Sequence, residues 1–493
     1  MTKLDIESIA IIGAGPGGLA SLYEFLHTNQ DGTSTVGEHQ STNPKFKKIV
    51  AFEQKDKAGG IWSAQPTFEP DLAIPPQDLL DTEKYNDPSV IHPLPKIPTG
   101  LEHATFEKPV EVKEDKLSNE LEWKASGIFP DLFTNIPSRF TRFSYLDNEP
   151  EYLDEKRIIY PFLHHQEQTG RLEKFIKNEK LYDHIRVNST VEQATKTSDG
   201  KWLLTVRQKD TTNHKEHWYT EKFDAIVISN GHYTVPNIPH IDGLAQFNKN
   251  FPGVLNHTKN YRNQDEYKDK KVLIVGGSIS TVNILQYVVP VAKQVINSKR
   301  GPHYVFEWIN DGLVSKGIEP KGTIKKIDPV SGEFFFEDGS SEQGFDKIIL
   351  TTGYHYHYPF LNHEDGGVKV INPSNLSRVG GLYYDTFSVE DPTLATVGVA
   401  VSPLNFHTIE ASAAAVAGVW SGKKTLPTKQ EQLQWEQVQI KKTADNLFFH
   451  YYTHKKKDEP HLVEIELGVN NLEKLYYGLK DGTLPKSKTV LQS

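Results

Sequence analysis

The stretch IESIAIIGAGPGGLASLYEFL, residues 6–26, constrains the fold more than any other part of the chain. Ile9 to Ile12 read as a buried parallel strand. Gly13, Gly15 and Gly18 then complete G-x-G-x-x-G, with Gly17 inside it. Leu19, Leu22, Phe25 and Leu26 follow at helical spacing. A polar stretch from Thr28 to Lys45 reads as a surface loop, and KKIVAFE supplies a second strand ending in Glu53. Strand, glycine turn, helix and a terminal acid form the dinucleotide-binding pattern. The glycines let the backbone approach a pyrophosphate at the helix N-terminus, and the acid accepts from ribose hydroxyls.

A second turn, VLIVGGSISTVNI at 272–284, resembles the first with pieces replaced. Gly276 opens it, but Ser278 and Thr281 stand where the second and third glycines would be. Serine still permits fairly close backbone approach and offers a hydroxyl to a phosphate, as does Ser280. The following strand, KQVINSKR, ends in Asn297, Ser298, Lys299 and Arg300, where NAD-binding units place an acid. That cluster suits the 2′-phosphate of NADPH, with Lys299 and Arg300 as its cations. The alternative is a solvated basic strand end.

Two strand ends close the scheme. DAIVISNGHY (224–233) is matched by DKIILTTGY (346–354), whose Thr352 and Gly353 end a strand. The expected fold is therefore α/β, with two Rossmann-like dinucleotide-binding domains. The second lies inside the first, and two nucleotide domains in one chain usually mean FAD plus NAD(P)H, with hydride passing to the flavin: 1–256 and 354–493 are then the FAD-binding part and 257–353 the NADPH-binding part. A helix is expected over Gln166 to Asn178, with strands near 201–207 and 224–229. Residues 66–127 are Pro-rich and read as an irregular wrapping excursion.

Composition narrows the chemistry. The 493 residues include no cysteine and one methionine, Met1. Disulfides, Cys-ligated metals and thiol catalysis are excluded. A flavin reduced here cannot pass electrons to a cysteine pair in the same chain, so oxygen, a quinone or another external acceptor must take them. Release of peroxide at the site would also favour loss of the oxidisable Cys and Met, although compositional drift serves as well. A net charge of −9 without blocks of like charge argues against a nucleic-acid partner. The longest near-apolar window, Ala411 to Trp420, is about half of what a bilayer crossing needs. No secretory pattern precedes the first strand, so the expectation is a cytoplasmic protein without membrane association. Oligomerisation is left open. His355 and His357 alternate as on a strand, and no metal site is expected there.

Between the two glycine turns, FPGVLNHTKNYR (251–262) fits F-x-G-x-x-x-H-x-x-x-Y through Phe251, Gly253, His257 and Tyr261. This resembles the signature of the flavin-containing monooxygenases, a family of class B flavoprotein monooxygenases. Tyrosine at the last position favours that family over the related Baeyer–Villiger enzymes. The likeness extends to GGIW (Gly59, Gly60, Ile61, Trp62), which looks like the FAD-clasping segment. It includes LFTNIP with Thr134 and Asn135, GHYTVPNIPHIDGL, and TTGY at 351–354. DPTLATVG and VWSGKKTLP look like the C-terminal part of soluble fungal members. Departures are Ser278, Thr281, Thr351 for the usual alanine, and the 66–127 insertion.

The resemblance implies FAD and NADPH/NADP+ as cofactors and molecular oxygen as co-substrate. It implies a C4a-hydroperoxyflavin attacked by a soft nitrogen or sulfur nucleophile: an amine, a sulfide or a small thiol. The cofactor carries the difficult step while the protein orients and excludes water. Asn135 would lie beside the flavin and hydrogen-bond the peroxide or the nicotinamide amide; its structural alternative is a turn asparagine before Ile-Pro. His257 and Tyr261 would organise the domain junction and the pyridine nucleotide, His257 being equally explicable as a satisfied core histidine. The alternative function is an NADPH oxidase or quinone reductase that inserts no oxygen, and a flavoprotein that only binds both nucleotides is a third.

Overall fold

The computed structural model describes residues 4–63, 74–91, 95–114, 125–303, 307–361, 371–372, 375–402 and 404–452. Ser8–Ile12 forms a strand in the middle of a seven-stranded sheet, parallel to Lys48–Phe52 on one side and Ala225–Ile228 on the other. Its continuous apolar run follows from burial on both faces. Ile9 and Ile11 pack under the helices Pro16–Leu26 and Asn405–Trp420. Ala10 and Ile12 face the opposite core, built on Trp202, Leu204, Val206 and Trp218. Those residues belong to a four-stranded antiparallel sheet made of Val110–Lys113, Lys215–Phe223, Trp202–Asp210 and Ser189–Lys196.

A five-stranded parallel sheet comprises Leu255–His257, Lys347–Leu350, Lys271–Val275, Gln294–Ser298 and Ile318–Lys321, in that spatial order. The larger sheet draws strands from both sides of this segment, up to Ile228 and again from Leu382 onward. The second Rossmann-like unit is thus inserted in the first, and a boundary drawn at 257 falls at the last residue of the strand Leu255–His257. The helix expected from Gln166 spans His165–Asn178.

Two expectations change. The 66–127 excursion is not irregular throughout: Val110–Lys113 adds an edge strand to the antiparallel sheet. Short helices at Gln77–Leu80 and Pro88–Ile91 also form, and Leu79, Leu80 and Ile91 pack with Ile241, Leu244 and Phe247. Pro-rich sequence concealed these because tertiary packing, not periodicity, orders them. The alternation at His355 and His357 is not a strand face either, since the strand covers only Tyr354–His355, paired with Val235–Pro236. Residues 64–73, 92–94, 115–124 and 453–493, which include parts of the excursion and of the C-terminal FAD-binding part, lie outside the described residues. Among the described residues no helix is long and apolar enough to cross a membrane. The apolar window at 411–420 belongs instead to the buried helix Asn405–Trp420.

One buried carboxyl in this core has a measurable consequence. Glu24 is 6% exposed. Burial first, and then Glu410 on the neighbouring helix, push its pKa from 4.5 to about 8. Below pH 4.5 the group is neutral in both folded and unfolded chains. As pH rises towards 8 only the unfolded chain ionises freely, so stability falls by up to about 1.4 kcal/mol per pH unit in that window. Glu24→Gln is therefore expected to raise the melting temperature, and more at pH 8 than at pH 5. Equal gains at both pH values in thermal melts would show that the carboxyl is not the cause.

Candidate active site

Both glycine turns open onto one cavity of about 2540 Å³. The N-terminal ends of the helices Pro16–Leu26, Ile279–Val288 and Asn405–Trp420 contribute to its lining. Helix N-termini present unsatisfied amides and a partial positive charge, which suits phosphates.

At the first turn, Gly13, Gly15, Gly17 and Glu53 line the cavity. A Cβ on Gly60 would sit 2.8 Å from the Gly15 α-carbon, so the GGIW segment lies directly on the turn. The Gly59 amide donates to the Ala14 carbonyl at 2.8 Å. Ser126 Oγ and Thr169 Oγ1 donate to the carbonyls of Ile61 and Trp62 at 3.1 and 2.7 Å. Gly60, Ile61 and Trp62 are thereby held as a clasp over the first turn, all three on the cavity wall. Glu53 is buried, and its carboxylate accepts from the amides of Ala14 at 2.9 Å and Lys55 at 3.0 Å. Burial raises its pKa, against those two amides and the nearby Lys55. Gly18 is turned away: it packs against the Gly13 carbonyl and Ile11, setting the closeness of helix and strand.

The Asn135 turn forms another wall. Thr134 Oγ1 donates to the Ile136 carbonyl at 2.9 Å and accepts from the Leu163 amide at 3.0 Å. Thr141 Oγ1 also donates to the Ile136 carbonyl, at 3.0 Å. Buried Arg171 bonds the carbonyls of Ser138 and Thr141 at 2.9 and 3.0 Å. Thr134 thus fastens the turn, while the Asn135 side chain is exposed on the cavity wall without a hydrogen-bond partner among the described residues.

At the second turn, Gly276, Ser278, Ser280, Lys299 and Arg300 line the same cavity. Gly276 has φ +146, and a side chain there would strike the Thr351 hydroxyl. Thr281 is fully buried and does not reach the cavity; its Oγ1 lies 2.7 Å from Thr351 Oγ1 and accepts from the Ser278 amide at 3.3 Å. The basic cluster divides. Asn297 is buried and donates to the carbonyls of Ile274 and Gly276, and Ser298 Oγ donates to the Gly322 carbonyl. Neither serves a phosphate. Lys299 and Arg300 remain at the cavity and have no acidic partner among the described residues.

Thr352 and Gly353 line the cavity where the chain crosses between the two sheets. His257 and Tyr261 do not. His257 is fully buried, accepts from the Lys259 amide at Nδ1 and donates from Nε2 to the Gly353 carbonyl at 3.1 Å. Burial pushes its pKa down to about 3, so it stays neutral. Tyr261 is 1% exposed, with its ring against Phe129 and Tyr267. Both organise the junction rather than touch a ligand.

Sequence reasoning missed other lining residues. Ser229 and Asn230 follow the strand whose glycine end was noticed, and Val397, Gly398, Ala400, Val401 and Ser402 follow the strand Leu394–Thr396 within and after the DPTLATVG segment. Their signal was an apolar run ending in a small residue. His303 also lines the cavity, 3.1 Å from Ser278 Oγ, and nothing local in the sequence marks it.

One Rossmann-like unit inserted in another, with both glycine turns on a shared cavity, defines a protein built to hold two dinucleotides. The family model described as flavin-binding monooxygenase-like matches residues 97–317 and 309–470. The chain belongs to that family and is an oxidoreductase that uses FAD, NADPH and oxygen. It is 26% identical over 447 residues to the flavin-containing monooxygenase FMO GS-OX5 of Arabidopsis thaliana, covering 88% of this chain and 78% of that protein. It is 24% identical over 483 residues to the flavin-containing monooxygenase ustF2 of Aspergillus flavus, covering 91% and 89%. In structure it resembles S-allyl-L-cysteine S-oxygenase from Allium sativum, with TM-score 0.67, 24% identity and coverage of 97% and 94%.

The residues fit the cofactor. Glu53 and the clasped first turn would hold the adenosine half of FAD. Glu53→Ala is expected to lower the flavin content of the purified protein. Hydrogen bonds to a charged partner contribute roughly 1.5–3 kcal/mol, or about ten- to hundredfold in affinity. Absorbance at the flavin band relative to protein, after extensive dialysis, measures the loss. Undiminished flavin would remove Glu53 from the site.

Proposed function

We propose that the chain is an NADPH-dependent flavin monooxygenase that forms a C4a-hydroperoxyflavin and transfers one oxygen atom to a soft nitrogen or sulfur nucleophile, small thiols included. The observation that carries this reading is the shared cavity: two glycine turns, the Asn135 amide and the cations Lys299 and Arg300 all line it. The resemblance to an S-oxygenase favours sulfur within the substrate class.

FAD bound here supplies the oxygen-activating chemistry. The chain supplies the rest. Asn135, projecting from a turn fixed by Thr134, Thr141 and Arg171, is a preorganised donor on the cavity wall. Lys299 and Arg300 would pair with the 2′-phosphate and select NADPH over NADH. Labelled dioxygen discriminates the rival reading: label in the product means oxygen insertion, whereas label confined to peroxide means an NADPH oxidase.

Two variants follow. Asn135→Ala is expected to leave flavin reduction largely intact and to raise peroxide leakage, since one lost donor at such a site costs on the order of 2.7–4 kcal/mol. Unchanged coupling of NADPH consumption to product would return Asn135 to a turn role. Replacing Lys299 and Arg300 together by alanine should weaken NADPH by about ten- to hundredfold and leave NADH nearly untouched. Steady-state kinetics with both nucleotides checks this, and a retained NADPH preference would place the phosphate elsewhere.

A further inference from the structure

Ser278 stands where the glycine pattern ordinarily leaves a bare backbone, and its amide is already engaged by Thr281 Oγ1. Whatever this position offers a pyrophosphate must come from the hydroxyl. That hydroxyl is not isolated: His303 Nε2 lies 3.1 Å from Ser278 Oγ, and both residues line the cavity beside Lys299 and Arg300.

The pair has two arrangements, because a hydroxyl carries one proton and neutral imidazole has one N–H. If Nε2 accepts, the serine proton is spent on histidine and only oxygen lone pairs face the cavity, which repels a phosphate. If Nε2–H donates, the serine proton is free to point at the phosphate. The second arrangement is the one that serves a phosphate, and the position of His303 beside Ser278 is fixed. Its backbone is clasped from both sides by Asn310, whose Oδ1 accepts from the His303 amide at 2.7 Å and whose Nδ2 donates to the His303 carbonyl at 3.0 Å. Partial burial keeps the ring on the neutral side of its usual range.

We propose that His303 is a positioning residue for the nicotinamide dinucleotide: by donating from Nε2 to Ser278 Oγ, it turns the serine hydroxyl towards the pyrophosphate and replaces the donor lost at this turn. This rests on the reading that the 276–281 turn holds NADPH. His303 acts through Ser278 on the part that NADPH and NADH share, whereas Lys299 and Arg300 act on the part that differs.

The test uses flavin-loaded protein, with KM, kcat and equilibrium affinity measured for NADPH and NADH on four variants. His303→Ala is expected to raise KM for both nucleotides by about tenfold with kcat unchanged. His303→Gln, whose amide can still donate to Ser278, should recover most of that loss. Ser278→Ala combined with His303→Ala should be no weaker than Ser278→Ala alone, because the histidine works only through the serine. Flavin content and melting temperature confirm that each variant folds, and the glutamine variant keeps the test sharp if the alanine variant does not. Additive losses, a loss confined to NADPH, or full affinity in His303→Ala or Ser278→Ala would overturn the proposal. Retained NADPH preference in the Lys299→Ala, Arg300→Ala variant would instead sink the 2′-phosphate assignment and leave the serine–histidine pair standing.

Discussion

The Gly353 carbonyl is the point on which the cavity depends. It accepts from the Asn237 amide at 2.9 Å and from His257 Nε2 at 3.1 Å. The Asn237 side chain donates to the Thr352 carbonyl at 3.2 Å, and Thr352 Oγ1 returns a bond of 2.5 Å to the Asn237 carbonyl. These bonds join the two passages of chain between the sheets. They fix how the turn after Ile12 faces the turn after Val275. A charged imidazole buried at this point would need a counter-ion. His257 avoids the need by staying neutral, with one nitrogen accepting and the other donating.

The second turn departs from the glycine pattern at two places that turn out to be one. The Ser278 amide donates to Thr281 Oγ1, Thr281 meets Thr351 Oγ1, and Thr351 Oγ1 donates to the Val275 carbonyl at 3.0 Å. A single run of hydrogen bonds therefore links the helix start to two strands. Without Thr351 the buried Thr281 hydroxyl would lose the acceptor of its proton, at a cost of about 1–3 kcal/mol, whereas Thr351 would keep its bond to Val275. The pair fills the space between helix and strand that small residues leave in other such turns, and Gly276 keeps its backbone conformation beside it.

Much of this was legible in the sequence, and the reason is distance along the chain. The Gly13–Gly18 turn, the strand ending in Glu53 and the strand ending at Thr351 are local patterns, each encoded within a few dozen residues. Lys299 and Arg300 were found by their offset from the turn. Asn297 shows the limit: the same offset placed it in the phosphate cluster, but its register in a buried strand sends the amide inward to Ile274 and Gly276. His257 and Tyr261 were recognisable as a pair, and the resemblance implied a place at the domain junction, but their contacts were not readable because what they touch lies elsewhere in the sequence. His303 was invisible for the same reason. Its significance is Ser278, 25 residues earlier.

The cavity wall also bears on where the chemistry must reside. Among the described residues no Asp, Glu, Lys or Arg lines the cavity after Leu350, from Thr351 through Tyr451. His232 is pushed down to about 3 and His355 to about 4, in both cases by burial above all, so neither carries a proton at neutral pH. A protein that catalysed by general acid and base would need a group here titrating near its working pH. Asn230, Asn405 and the aromatic rings of Tyr233 and Tyr354 offer dipoles and shape on this wall. Such a surface is suited to orienting a bound molecule more than to moving protons.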